Sequence, residues 1–173
     1  DRGPDDFWSN IGLSEIEIYG EESDIEAAEN KNHVNAAGVT AEASTTEASS
    51  LPVSNIKDGN NQTRWASDYS EASKQTVTVT FPKVTLVKEL DFDLHTRDVA
   101  PMPSNVKSFD LVYADAAGTE HTVKISNAKS TESGKTGYVT NVQHIFETPV
   151  YMKSFKMTNF DLQIDIEGQN GYN

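Results

Sequence analysis

The chain has 173 residues, 27 Asp and Glu against 14 Lys and Arg for a formal net charge of −13, 36% hydrophobic residues and no cysteine. A chain of this length buries about two-thirds of its unfolded surface, enough for one core without covalent staples; the absence of cysteine excludes disulfides, thiolate zinc sites, iron–sulfur ligation and a cysteine nucleophile. The acidic excess argues against nucleic acid and anionic membranes as partners, since phosphate affinity rests on Lys and Arg, and no run approaches the roughly 20 apolar residues that insert across a bilayer.

The opening Asp1-Arg2-Gly3-Pro4-Asp5-Asp6 lacks a basic, apolar leader pattern, so a soluble acidic module cut from something longer is expected. In Ile11 to Tyr19, Ile16 and Ile18 alternate with Glu15 and Glu17, which predicts a half-buried strand. The segment 20–33 is strongly acidic, with one large apolar residue in Ile25, and reads as a connector or a short helix. Val34 to Ser50 is rich in Ala, Thr, Ser and Glu, and its weak alternation from Val39 to Ala43 predicts one exposed strand followed by a loop. Short apolar runs follow at Thr76–Phe81, Leu90–Leu94, Phe109–Tyr113, Thr122–Ile125, Val139–Phe146 and Phe155–Thr158. Their β-branched and aromatic content, with turn formers such as Ala117-Gly118 and Ser133-Gly134 between them, predicts an all-β antiparallel sandwich without a major helix.

The run Asn55-Ile56-Lys57-Asp58-Gly59-Asn60-Asn61-Gln62-Thr63-Arg64-Trp65 gathers oxygen-bearing side chains around a glycine. Calcium takes six to eight oxygen ligands, and a tight turn at Gly59 lets Asp58, Asn60 and Thr63 converge on one ion. The same residues also describe an ordinary Asp-Gly turn followed by a core tryptophan.

Asp58-Gly59-Asn60-Asn61-Gln62-Thr63-Arg64-Trp65-Ala66-Ser67 resembles the D-G-N-x-x-T-x-W-x-S signature of discoidin, or coagulation factor 5/8 type C, domains, whose bacterial branch includes the family 32 carbohydrate-binding modules. Gln75 to Phe81 is similar to the strand after that loop, and Leu94-His95-Thr96-Arg97-Asp98 with Asn105 to Tyr113 is similar to the family's arginine-bearing strand end and its continuation. The resemblance covers residues 34–173 and implies a galactose-binding-like jelly roll with a structural calcium and a ligand site on loops at one end. It implies calcium ligation by Asp58, Asn60 and Thr63, completed by a glutamate on the last strand.

That last strand, typically S-E-I-E-x-Y, resembles Ser14-Glu15-Ile16-Glu17-Ile18-Tyr19, which precedes the domain. Residues 1–19 therefore close the same sandwich by circular permutation, exchange with a second chain, or are the tail of a preceding module. On the permuted reading Glu15 is the distal calcium ligand, with Glu17 as second choice.

The family's ligand residues fall on Arg97 and Asn105, with His95, Asp68 and Tyr69 as neighbouring polar or aromatic candidates. Phe7 and Trp8, or otherwise Tyr172, would supply an aromatic platform. Parity along Leu90 to Leu94 places His95 on the polar face beside Arg97. Each candidate has a plainer reading: Arg97 paired with Asp98 or Asp93, Asn105 as a turn residue, His95 as a lone surface histidine. Trp65 reads better as a core anchor than as a ligand. Ala66 stands where many sugar-binding members carry histidine. His33, His121 and His144 are too scattered for a zinc site.

No G-x-S-x-G, H-E-x-x-H, phosphate loop or dinucleotide fingerprint is present, and no carboxylate pair is singled out. The sequence thus points to a non-catalytic module of a secreted, multimodular glycan-active protein, binding terminal galactose, N-acetylgalactosamine or N-acetylglucosamine, with calcium as its structural cofactor. The rival readings are a discoidin-type adhesion, protein- or lipid-interaction domain and a structural spacer.

Overall fold

A computed structural model describes residues 10–22, 31–32, 36–68, 70–95, 104–129 and 139–164. Eight antiparallel strands are found among them: β1 (Gly12–Glu22), β2 (Lys31–Asn32), β3 (Thr40–Ala43), β4 (Trp65–Ala66), β5 (Val77–His95), β6 (Ser104–Asp115), β7 (Glu120–Ser126) and β8 (Val139–Ile164). Their order is β2-β1-β5-β8-β6-β7, with β3 on β5 and β4 on β1.

Two strands are too long to run straight. At about 3.3 Å per residue, the 19 residues of β5 and 26 of β8 exceed the roughly 40 Å width of a domain this size. β5 turns at Pro82-Lys83-Val84, all exposed, and the ladder with β8 shifts register between Thr80 and Thr85 and again between Val87 and Glu89. Before the corner β5 pairs with β3; after it, with β1. The two halves thereby belong to two layers. Phe92, whose ladder neighbours are Ile16 and Val142, meets Phe109 of β6 edge-on at 5.1 Å and Phe155 at 6.4 Å across the sandwich.

The expected strands Thr76–Phe81 and Leu90–Leu94 thus fall in the two halves of one strand, β5, and Val139–Phe146 and Phe155–Thr158 in the two halves of β8. Both described ends of the segment expected as a connector or short helix are strand. β1 continues to Glu22, and Lys31 and Asn32 pair back onto Gly20 and Tyr19; residues 23–30 lie outside the described residues. The expected exposed strand is β3, with Val39 before it buried at the core.

β1 lies in the sheet of its own chain. Ile11, Leu13, Ile16 and Ile18 are all fully buried. Leu13 pairs with Leu94 and Glu15 with Asp93, so β1 carries one extra residue, Ser14, against one step of β5. This bulge lets Leu13 and Ile16, three apart, both face the core while Glu15 turns toward the Asp-Gly loop.

A Cβ on Gly12 would lie 2.9 Å from the His95 carbonyl oxygen and 3.2 Å from its Cβ, both fixed by the adjacent strand. Gly12→Ala is expected to cost about 1–3 kcal/mol through this overpacking, read as a lower urea midpoint at unchanged slope.

Candidate functional site

The Asp-Gly loop follows a 3₁₀ turn, Val53–Lys57, pinned by buried Ile56. Asn55 Nδ2 donates to the Arg64 carbonyl at 2.8 Å, closing the loop's base. Gly59 sits at φ 74°, the left-handed region that favours glycine. Asp58 Oδ1 accepts the Asn60 N–H at 2.9 Å, and Asn60 Oδ1 accepts the Gln62 N–H at 3.1 Å. Thr63 Oγ1 lies 2.7 Å from Asp58 Oδ2 and 2.8 Å from the Asn60 carbonyl oxygen.

Glu15 reaches this loop from β1. Its Oε2 accepts the Gly59 N–H at 3.1 Å, while its Oε1 is buried with no hydrogen-bond partner among the described residues. The residue is 5% exposed. Burial first, and the Asp58 charge second, push its carboxyl up to about 7 against the lowering effect of the Gly59 and Asn60 backbone N–H groups. Glu17, the second choice, uses its Oε2 to accept the Tyr19 hydroxyl at 3.0 Å.

The structure therefore brings Glu15, Asp58, Asn60 and Thr63 together. No cluster of three or more His, Asp or Glu is found among the described residues, so the donor set is two carboxylates plus neutral oxygens. An orphaned, buried carboxylate oxygen in an all-oxygen setting fits a hard cation such as calcium and does not suit zinc.

A second polar group occupies the end of the sandwich where β5 and β7 finish and β6 and β8 begin. Asn127 Nδ2 donates to the Val106 carbonyl at 2.9 Å and to Thr140 Oγ1 at 3.0 Å, tying these strand ends together. Beside them Asn105, on β6 and not in a turn, is 1% exposed, and neither polar atom of its side chain has a hydrogen-bond partner among the described residues. A buried amide without partners costs about 1–3 kcal/mol, which leaves it poised for a ligand or a neighbouring group.

His95 closes β5 at this same end, but it is 8% exposed and not on an open polar face. The cause is Gly12, whose missing side chain lets β1 press against it. Ala66 pairs with Gly12, which carries Asp68, two residues on, to this end as well. Asp68 is partly buried; its Oδ1 accepts the Ser70 N–H at 3.0 Å and the Ser70 hydroxyl, and these bonds hold its carboxyl below the usual range. Trp65 is the core anchor expected, fully buried, with its indole N–H donating to the Thr45 carbonyl at 3.0 Å. Arg97, Tyr69, Phe7, Trp8 and Tyr172 lie outside the described residues. The roles of Asn127, Thr140 and Gln75 were not legible. Gln75 accepts from Ser44 and Thr45 at 2.7 and 2.6 Å, yet in sequence it is merely the residue before a strand.

Solved structures that share this fold include two bacterial modules. A family 32 carbohydrate-binding module of NanJ from Clostridium perfringens, in complex with galactose, superimposes with a TM-score of 0.54 at 18% identity, covering 76% of this chain and 91% of that one. Module CBM32-1 of a family 31 glycoside hydrolase from Clostridium perfringens gives 0.51 at 18% identity, covering 74% and 89%. No curated protein sequence matches the chain. The F5/8 type C domain profile matches residues 40–170, more than half of the sequence, and spans the Asp-Gly loop, Trp65 and the strand ends that hold His95 and Asn105. The chain belongs to the F5/8 type C domain family.

Proposed function

We propose that this domain binds a terminal sugar at the strand end around Asn105 and Arg97, and that calcium held by Glu15, Asp58, Asn60 and Thr63 stiffens the neighbouring loop. Family membership makes it a binding domain and not an enzyme. The observation that carries the sugar reading is Asn105: a buried amide with donor and acceptor both unmet, at a position similar to the family's ligand asparagine. An amide offers both to adjacent sugar hydroxyls, and a guanidinium at Arg97 would donate to a vicinal pair. His95 and Asp68 border the site, and Tyr69, Phe7, Trp8 or Tyr172 would supply ring faces for the apolar side of the pyranose.

Calcium, when bound, supplies cross-linking of the loop to β1; binding only the folded state, it stabilises that state. Both modules compared above are carbohydrate-binding modules, one solved with galactose, which makes galactose, N-acetylgalactosamine and N-acetylglucosamine the first sugars to test. The reading places the domain outside the cell, within a larger glycan-active protein. No helix among the described residues is long and apolar enough to cross a membrane.

A glycan array probed with the 173-residue chain in calcium tests this directly. Retention on one terminal sugar type is expected, and Arg97→Ala is expected to weaken it roughly 10- to 100-fold, the loss of one charge-assisted hydrogen-bonding group, at unchanged melting temperature. A blank array with folded protein overturns the sugar reading in favour of an adhesion or spacer domain.

A further inference from the structure

The opposite end of the sandwich carries a second polar and aromatic hollow. β6 runs ten residues from Asn105 to Asp115, so at about 3.3 Å per residue this hollow lies roughly 30 Å from the first site. It is an open cleft of about 450 Å³ between the β6–β7 turn and residues 148–151 of β8.

Beneath it the Tyr113 ring, only 9% exposed, stacks on His121 with centroids 5.1 Å apart and planes 19° from parallel, and is held edge-on by buried Phe146 at 5.3 Å, so that the His121 ring is fixed from below. Its far wall is Pro149 and Tyr151, the latter 43% exposed. The polar corner is equally fixed. Asp115 Oδ1 accepts the Ala117 and Thr119 N–H groups, both at 2.9 Å, and Oδ2 lies 2.8 Å from His121 Nε2. Gly118, at φ 83°, makes the tight turn that brings those two N–H groups onto one oxygen.

Partly exposed rings at His121 and Tyr151 beside a clamped acceptor suit a neutral pyranose: apolar C–H groups lie on the rings, and hydroxyls reach a carboxylate whose second lone pair and an imidazole whose Nδ1 face away from their mutual bond. The volume fits a small ligand. A protein partner is served less well, because the hollow is small. We propose that this cleft is a second glycan-binding site, taking one neutral sugar ring. It shares with the proposed function only the class of ligand. Two sites about 30 Å apart let one domain grip a polysaccharide at two points, raising avidity through effective concentration.

The test is a titration of the ¹⁵N-labelled 173-residue chain with lactose and with chitotriose, followed by amide shifts. Saturable shifts at Ala117, Gly118, His121 and Tyr151 are expected, lost in both Y151A and H121A while resonances near Asn105 stay unchanged. Shifts confined to amides around Asn105 and Asn127 overturn the second site and leave the first. Shifts at this cleft alone support it and overturn the first placement; silence at both ends with both sugars overturns both. Shifts at the cleft that persist in both variants also overturn it.

Discussion

Glu15→Gln is expected to stabilise the metal-free protein at pH 7 by about 3 kcal/mol and to abolish its stabilisation by calcium. Glu15 rises from an ordinary value of 4.5 to about 7 in the folded chain, and each unit is worth about 1.4 kcal/mol of preference for the protonated form. The sign follows from proton counting. Between pH 4.5 and 7 the folded state binds more protons at Glu15 than the unfolded state, so metal-free stability falls as pH rises through that window and is lowest above it. Asp91, pushed up to about 6 mainly by burial and by Glu89, adds a slope of the same sign that remains in the variant. Calcium favours the ionised pair, so its stabilising effect on the natural chain should grow toward pH 7. Thermal melts at pH 5 and pH 7, each with chelator or calcium, separate these contributions. Equal melting temperatures with chelator and with calcium at pH 7, in protein first stripped of metal, would remove the metal from the loop.

The features legible in the sequence share a physical character: each is written in consecutive residues. Ile16 and Ile18 declared a buried strand face by period two, and both are fully buried. Asp58 to Trp65 declared a tight oxygen-rich loop with a core ring behind it, because turn chemistry and the tryptophan are local. What was not legible depends on distant partners. The corner at Pro82 interrupts the alternation of β5 without ending the strand, since the ladder with β8 resumes at Thr85, three residues out of its earlier register. The burial of Glu15 needs the Ser14 bulge and a loop some forty residues away, and alternation alone assigned Glu15 to a solvent face. His95 was covered by Gly12, from the other end of the chain. The cleft at Asp115 and His121 is assembled from β6, β7 and β8, with no spacing that announces it.

The largest effect should come from removing the N-terminal strand. We propose that β1 closes the same sandwich as residues 34–173, the permuted arrangement, because it lies between β2 and β5 while the family profile begins only at residue 40. Deleting residues 1–22 removes Ile11, Leu13, Ile16 and Ile18, all fully buried. Each such side chain contributes about 1.5–3 kcal/mol on burial, so together they rival the 5–15 kcal/mol that holds a typical domain folded. The truncated chain is therefore expected to lose its cooperative thermal transition, and a peptide of residues 10–22 added in excess should restore it. It also uncovers the β5 edge from Thr85 to Leu94, whose unpaired N–H and C=O groups invite aggregation. A truncated chain that melts cooperatively within a few degrees of the whole one would make β1 the tail of a preceding module. The solution mass of the full chain separates the remaining pair: one chain's mass fits β1 folding onto its own β5, whereas twice that mass means that two chains exchange the strand, each lending Glu15 to the other's Asp58 loop.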